Sequence, residues 1–335
     1  MTNHKNNIDA ANTFAAKRVL VTGATGLIGY NLINRLIAVP DIEIIAMARS
    51  AQRLESTFAE MPVKTIAHDI TQPLDPSLGH LDFIFHAASP TSGIAIRETP
   101  VDVISANLSG VTNCLEYIRH QHDGKVVIFS SVTVYAKNGD AHIAVEDHTA
   151  DAENLDSPSA PYSESKRMTE VIARAYNRQY GTDITIARLS TVYGYSPNPA
   201  DSAFFEFISK AIAGQDIAVH THGLPRRDNI YVDDAINALL LLCAMPSTLS
   251  IYNISSNGDL HNYASIDEIA EIIALEATSM HDQPIRVIYE TRQDRPEGIR
   301  LANARLKTHG WEISTSLKDG IRRTIKKYMD VKNLL

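Results

Sequence analysis

A phenol and an ammonium group stand four residues apart in Tyr162-Ser163-Glu164-Ser165-Lys166. On a helix that spacing brings both to one face. A lysine so placed lowers the pKa of the tyrosine, and the phenolate can then take a proton near neutral pH. Upstream, Ser130-Ser131-Val132-Thr133 supplies hydroxyl groups. Ser131 is expected to share a short hydrogen bond with a substrate oxygen and the Tyr162 phenol, with Thr133 a candidate beside it. Ser130 reads as a cap on the following turn. Tyr–Lys pairs at this spacing also arise by chance on solvated helices, so the assignment depends on the elements that carry them.

The element that organises the chain is Val19-Leu20-Val21-Thr22-Gly23-Ala24-Thr25-Gly26-Leu27-Ile28-Gly29. A short apolar strand runs into a glycine turn, and a helix follows with apolar residues at Leu27, Ile28, Leu32, Ile33 and Leu36. Gly23 suits the tight turn, Gly26 lets the backbone approach a pyrophosphate, and Gly29 allows the helix to lie close on the strand. Free N–H groups at the helix start, around Thr25 to Ile28, face the anion. The Tyr–Lys pair lies downstream of this turn, one loop after a further strand, and there Lys166 can also bond a cofactor ribose.

Strands are expected at Ile42 to Ala48, Val63 to Ile66, Leu81 to Ala88, Lys125 to Ser131, Ile184 to Leu189 and Ile251 to Ile254, with helices at Val101 to His120, Tyr162 to Tyr180 and Asp233 to Cys243. Strands alternating with helices predict an α/β fold, a doubly wound parallel sheet with its ligand at the strand C-termini. Beyond Gly194 the pattern loosens into a helix at Phe204 to Ala213, a short strand at Ile217 to Val219, a strand at Ile285 to Tyr289 and short helices. This predicts a smaller, interleaved C-terminal α/β substrate domain. We expect residues 17–192 with 229–257 to form the dinucleotide domain, 193–228 with 258–335 the second domain, and 1–16 a flexible tail. The acidic stretch Ala141 to Ala160 reads as a surface loop.

The 335 residues are 44% hydrophobic and 21% charged, which fits a globular enzyme. The net charge of -8, without long single-sign blocks, argues against nucleic acid or an anionic membrane surface as partner. Cys114 and Cys243 lie in apolar helical patterns and read as core residues of a reducing compartment. A polar start and the absence of a long apolar run point to a cytoplasmic protein. His220 and His222 lack the partners of a metal site, so no metal is expected. Trp311 reads as a core anchor for the C-terminal lobe.

The ordered motifs make the chain resemble the extended short-chain dehydrogenase/reductase family of nucleotide-sugar epimerases and dehydratases, over about Lys17 to Thr324. They are Thr22-Gly23-x-x-Gly26-x-x-Gly29, His86-Ala87-Ala88, Asn107 in Asn-x-x-Gly-Val-x-Asn, Ser131/Tyr162/Lys166, Arg188-x-x-x-Val192-Tyr193-Gly194, Arg227 to Asp234, and Arg295-Pro296-Glu297-Gly298. The resemblance implies a Rossmann-type cofactor domain and hydride passage between a nicotinamide and a sugar carbon. Tyr162 would be the acid/base, Lys166 its tuner and Ser131 its partner. It places Asp69 and Ile70 near the adenine, and Ala87, Ala88, Asn107 and Leu189 along the cofactor. Ser89, Thr133, Thr191, Arg227 and Arg295 fall on the substrate side, the two arginines gripping a diphosphate. Relatives are usually homodimers, and the helices at Val101 to His120 and Tyr162 to Tyr180 carry enough apolar surface for a four-helix interface.

Departures from the family pattern narrow the chemistry. Sugar 4,6-dehydratases carry an Asp-Glu pair where this chain has Val132 and Thr133, and sugar-acid decarboxylases carry a Glu at Thr133. Thr133 matches 4-epimerases. Thr191 replaces a common Asn, and Tyr195 a common Pro. At the end of the second strand, Met47-Ala48-Arg49-Ser50 offers no carboxylate for ribose hydroxyls. Arg49 and Ser50 therefore favour NADP over NAD, although Arg49 stacked on adenine would serve either. The expected activity is a nucleotide-sugar epimerase, acting at C4 through a transient ketone. A 4-reductase or a dehydratase of the same fold is the alternative, and a non-catalytic dinucleotide sensor is disfavoured by the intact Ser/Tyr/Lys set.

Overall fold

The computed structural model describes residues 10–135, 143–147, 154–220, 225–245, 248–280, 284–290 and 298–334. The first half runs α1 (Ala10–Phe14), β1 (Arg18–Thr22), α2 (Leu27–Leu36), β2 (Glu43–Ala48), α3 (Ala51–Phe58), β3 (Lys64–Ala67), β4 (Phe83–His86), α4 (Gly93–Glu98), α5 (Pro100–Gln121) and β5 (Lys125–Ser131). After β6 (Ile143–Ala144) come α6 (Ala160–Tyr180), β7 (Asp183–Leu189), β8 (Thr191–Tyr193), α7 (Ala203–Ile212), β9 (Ile217–Val219), β10 (Arg227–Tyr231) and α8 (Val232–Ala244). The chain continues through β11 (Leu249–Ile254), β12 (Tyr263–Ala264), α9 (Ile266–Thr278), β13 (Val287–Tyr289), β14 (Arg300–Leu301), α10 (Ala304–Lys307) and α11 (Leu317–Leu334).

Seven parallel strands form the central sheet, in the order β11-β7-β5-β4-β1-β2-β3. Alternation along β1 sends Val19 and Val21 to one face and Leu20 to the other, so the strand feeds two cores. Leu20 joins the side covered by Cys114, Leu115 and Ile118 of α5 and Ala173 of α6. Val19 and Val21 share a core with Leu32 and Ile33 of α2 and Leu239 of α8. Strand order departs in opposite directions from β1 and β4, and a crevice opens beyond their C-terminal ends.

The second half adds three small sheets: β12-β10-β8, β13-β9 and β14-β6. β8 pairs in parallel with β10, setting Asn229 against Thr191 and Tyr231 against Tyr193. β8 and β10 were not separable from loop by periodicity, whereas β9 and β13 fall within the strands expected at Ile217 to Val219 and Ile285 to Tyr289. The end of the expected flexible tail is also corrected: Phe14 is fully buried and packs on Phe83 with ring centroids 4.8 Å apart. Within the expected surface loop, β6 pairs with β14 and Glu146 is buried. The C-terminal part ends in one long helix, α11, which buries Leu317, Ile321 and Ile325.

Candidate active site

The glycine turn is fixed by close packing. Gly23 has φ +65°, and a Cβ there would lie 2.7 Å from the Ala87 and Ala88 backbone. A Cβ on Gly29 would collide with the Gly23 carbonyl. Gly26 stands at the N-cap of α2 and supplies no side-chain cap, which leaves the first helical N–H groups for an anion. This cradle suits a dinucleotide, whose pyrophosphate would meet the backbone at the turn.

A cleft of about 740 Å³ opens at the switch point. Gly23, Thr25, Gly26, Arg49, Ser50, Asp69, Ile70, Ala87, Ala88 and Ser89 line it. Leu27 and Ile28 turn their side chains to the core, and Leu189 is buried there. Asn107 does not line the cleft: it accepts from Ser89 Oγ at 2.7 Å and donates to Ser165 Oγ at 2.8 Å, joining α5 to α6. Arg53, missed from the sequence, also lines the cleft. Its signal was its place in the first turn of α3, where Ser50 Oγ accepts from its N–H.

Ser131, Tyr162 and Lys166 meet where β5 ends against α6. Ser131 Oγ accepts from the Thr133 N–H at 3.2 Å, and the Ser131 side chain hydrogen-bonds the Tyr162 phenol. Lys166 is buried and donates to the Phe129 carbonyl at 2.8 Å, with its Nζ 5.8 Å from the Tyr162 ring centroid. One expectation needs correction. Burial raises the Tyr162 pKa, the Ser131 bond opposes that rise, and Lys166 is not among the causes. Lys166 is itself lowered to about 8 by burial, against the raising influence of Glu170. Nearby, His86 is buried against Thr22 Oγ1 at 3.0 Å, and burial followed by the Lys166 charge lowers its pKa to about 3. It is a neutral strut.

A second cavity, of about 380 Å³, lies between β8, β10 and α7 and includes Thr191, Arg227, Ser202 and Phe204. Arg226 and Arg227 part company here. Arg226 is held by Glu268, with Nε to Oε2 at 3.0 Å. Arg227 keeps solvent access inside the concave wall, and burial lowers its pKa. Asp228 turns away and accepts from Ser256 and the Asn257 N–H. It therefore does not serve as the local counter-ion that would make Arg227 an ordinary surface charge. Arg295 lies outside the described residues, as does His222. His220 pairs with Glu290 at 2.8 Å.

The family model described as "NAD dependent epimerase/dehydratase family" matches residues 19–255. The chain belongs to this family. Among curated proteins, it is 29% identical to UDP-glucuronic acid decarboxylase 6 of Arabidopsis thaliana, over 91% of this chain and 86% of that one. It is 28% identical to UDP-glucuronic acid decarboxylase 1 of Danio rerio, over 92% and 72% respectively. An epimerase structure from Methanothermobacter thermautotrophicus superposes with TM-score 0.82 at 21% identity, covering 98% of this chain and 96% of that one. A UDP-glucose 4-epimerase from Thermotoga maritima, solved with UDP-glucose, gives TM-score 0.76 at 22% identity, over 94% and 99%.

Within this epimerase/dehydratase member, the matched residues run from β1 through β11. They include the glycine turn, Ser131, Tyr162, Lys166 and Arg227. Asn198, which the sequence did not single out, bonds the cofactor side through Thr57 Oγ1 and the Thr25 carbonyl.

Proposed function

We propose that the protein is an NAD(P)-dependent nucleotide-sugar epimerase acting at C4 through a transient 4-keto sugar. The observation that carries this reading is the end of β5, where Val132 and Thr133 follow Ser131 and the Thr133 hydroxyl is buried without a hydrogen-bond partner. Transient oxidation needs one group to carry a proton and a neutral space in which the ketone can turn. Eliminating water needs a further acid and base, which these two residues do not provide.

A nicotinamide cofactor bound in the cleft would supply the hydride acceptor and donor for C4. Tyr162 takes the C4 hydroxyl proton as the hydride leaves and gives it back when the opposite face of the ketone is reduced. Ser131 supports the charge on that oxygen, its Oγ already accepting from Thr133 N–H so that its own proton points elsewhere. Lys166, on the same helix as Tyr162 and held to the Phe129 carbonyl, would bond a cofactor ribose. Arg227 would hold the diphosphate, with Arg295 as its proposed companion. Arg49, Ser50 and Arg53 at the cofactor cleft favour NADP.

The curated relatives favour a second reading, in which C4 oxidation is followed by loss of a C6 carboxylate as carbon dioxide. Proton NMR of incubations with UDP-glucose, dTDP-glucose and UDP-glucuronic acid separates the two. Inversion at C4 without net reduced cofactor is the expected result, whereas release of carbon dioxide from the uronic acid would replace it with the second reading. A homodimer is supported by Val101, Ile104, Met168 and Val171, exposed on α5 and α6, and sedimentation measures it. No helix among the described residues is long and apolar enough to cross a membrane.

A further inference from the structure

The segment between β8 and α7 touches both pockets. At its far end, Ala200, Asp201 and Ser202 line the Arg227 cavity. In its middle, Asn198 Nδ2 donates to Thr57 Oγ1 at 3.0 Å and, over a longer 3.4 Å, to the carbonyl of Thr25 in the glycine turn. Thr57 lies one helical turn beyond Arg53 on α3, and both Thr25 and Arg53 line the cofactor cleft. A residue carried by the substrate side therefore holds two parts of the cofactor side.

The start of the segment is anchored independently. The Tyr195 carbonyl accepts from Asn31 Nδ2 of α2 at 2.9 Å, while its ring lies 6.0 Å from Tyr30 and 4.6 Å from Tyr328 of α11. Ser196 donates its N–H to the Tyr328 hydroxyl at 3.1 Å, and that hydroxyl donates to the Ser196 carbonyl at 2.8 Å. Pro197 and Pro199 flank Asn198, and each ring fixes φ and restrains the residue before it. With its start clamped and its centre stiff, the segment transmits a displacement at Ala200 to Ser202 into the Asn198 contacts.

We infer that Asn198 is a positioning residue that couples the two pockets, so that a nucleoside diphosphate held beside Arg227 tightens the grip on the dinucleotide. The inference rests on the nucleotide-sugar reading. Thermodynamic reciprocity requires the dinucleotide to tighten the diphosphate by the same factor.

Titration calorimetry on the full chain tests this, with NAD and NADP each titrated alone and with a saturating nucleoside diphosphate. The probe is the tightest binder among the diphosphates of uridine, thymidine, guanosine and cytidine. In the parent, the cofactor Kd should fall at least about fivefold when the diphosphate is present. In Asn198→Ala that ratio should come within about twofold of one, while diphosphate affinity without cofactor stays at the parent value. Thr57→Ala removes the acceptor from the other side and should lower the ratio too, with the double variant no lower than Asn198→Ala. A ratio of one in the parent, or an undiminished ratio in Asn198→Ala, overturns the coupling and leaves the nucleotide-sugar reading standing. A parent that binds none of the four diphosphates overturns both.

Discussion

Arg188 grips both carboxylate oxygens of Glu170, Nε to Oε1 at 2.8 Å and Nη2 to Oε2 at 2.7 Å, and both residues are buried. Ser130 donates to the same Glu170 at 2.6 Å, and Arg188 also donates to the Tyr135 hydroxyl at 2.8 Å. The pair ties β7 to α6 and fixes α6 against the strand that carries Ser131. Arg188→Met leaves a buried carboxylate without its cation, so it should lower the unfolding free energy by about 3–5 kcal/mol. Removing the acid as well, in Arg188→Met with Glu170→Leu, should restore most of that loss. Urea unfolding of the single and double variants measures both, and a single variant within about 1 kcal/mol of the parent would contradict the argument.

Tyr162→Phe keeps the ring and loses the proposed proton carrier. Turnover should fall at least about a hundredfold, with cofactor affinity close to the parent value. Near-parental turnover would remove Tyr162 from the mechanism.

Asp228 carries a pH signature in stability. Burial raises its pKa to about 6 in the folded protein, despite hydrogen bonds from Ser256, Leu301, Gly258 and Asn257 that lower it. The folded state therefore holds a proton that the unfolded state has released between about pH 4 and 6. This group's contribution to stability weakens as pH rises through that window. Relative to Asp228→Asn, whose amide does not titrate, the parent should lose about 2 kcal/mol of unfolding free energy between pH 4 and pH 7. Unfolding curves of both proteins at matched pH decide it, and a constant difference would exclude the raised pKa.

The parallel sheet was legible because each strand is a short apolar run bounded by polar or glycine punctuation, and β5 was placed to the residue. Ser131 and Tyr162 could be paired because one ends that strand and the other opens the next long helix. Lys166 lies on α6 one turn from Tyr162, but its carbonyl partner depends on the depth at which α6 packs on β5, and local spacing does not encode that depth. β8 and β10 escaped notice because a three-residue or five-residue strand derives its identity from a partner distant in sequence. Asn198 escaped for the same reason: its partners, Thr25 and Thr57, become neighbours only when the two halves of the chain meet.

Cofactor choice turns on Arg49. If its guanidinium meets a 2′-phosphate, Arg49→Ala should weaken NADP at least about tenfold, about 1.4 kcal/mol, and NAD much less. Fluorescence titration with both cofactors checks this. Equal losses would mean that Arg49 stacks on the adenine, and the NADP preference would fall.

Arg227 is the sharpest test of the substrate class. Its neighbour Arg226 is neutralised by Glu268, and Asp228 directs its carboxylate to Ser256 and backbone N–H groups. The protein thus keeps a cation in a concave pocket and assigns the adjacent acid elsewhere, an arrangement suited to an incoming anion. An exposed ion pair contributes about 0–1 kcal/mol, whereas a charge-assisted bond to phosphate in such a wall contributes roughly 1.5–3 kcal/mol. Arg227→Ala should therefore weaken nucleoside diphosphate binding at least about tenfold, about 1.4 kcal/mol, and leave cofactor affinity without diphosphate unchanged. Arg295→Ala should act in the same direction if the Arg-Pro-Glu-Gly turn converges on the same dianion. Calorimetry with the isolated nucleoside diphosphate is the direct measurement, because it presents the charge without the sugar. If both variants bind it as the parent does, the diphosphate lies elsewhere and the assignment loses its support outside the cofactor half.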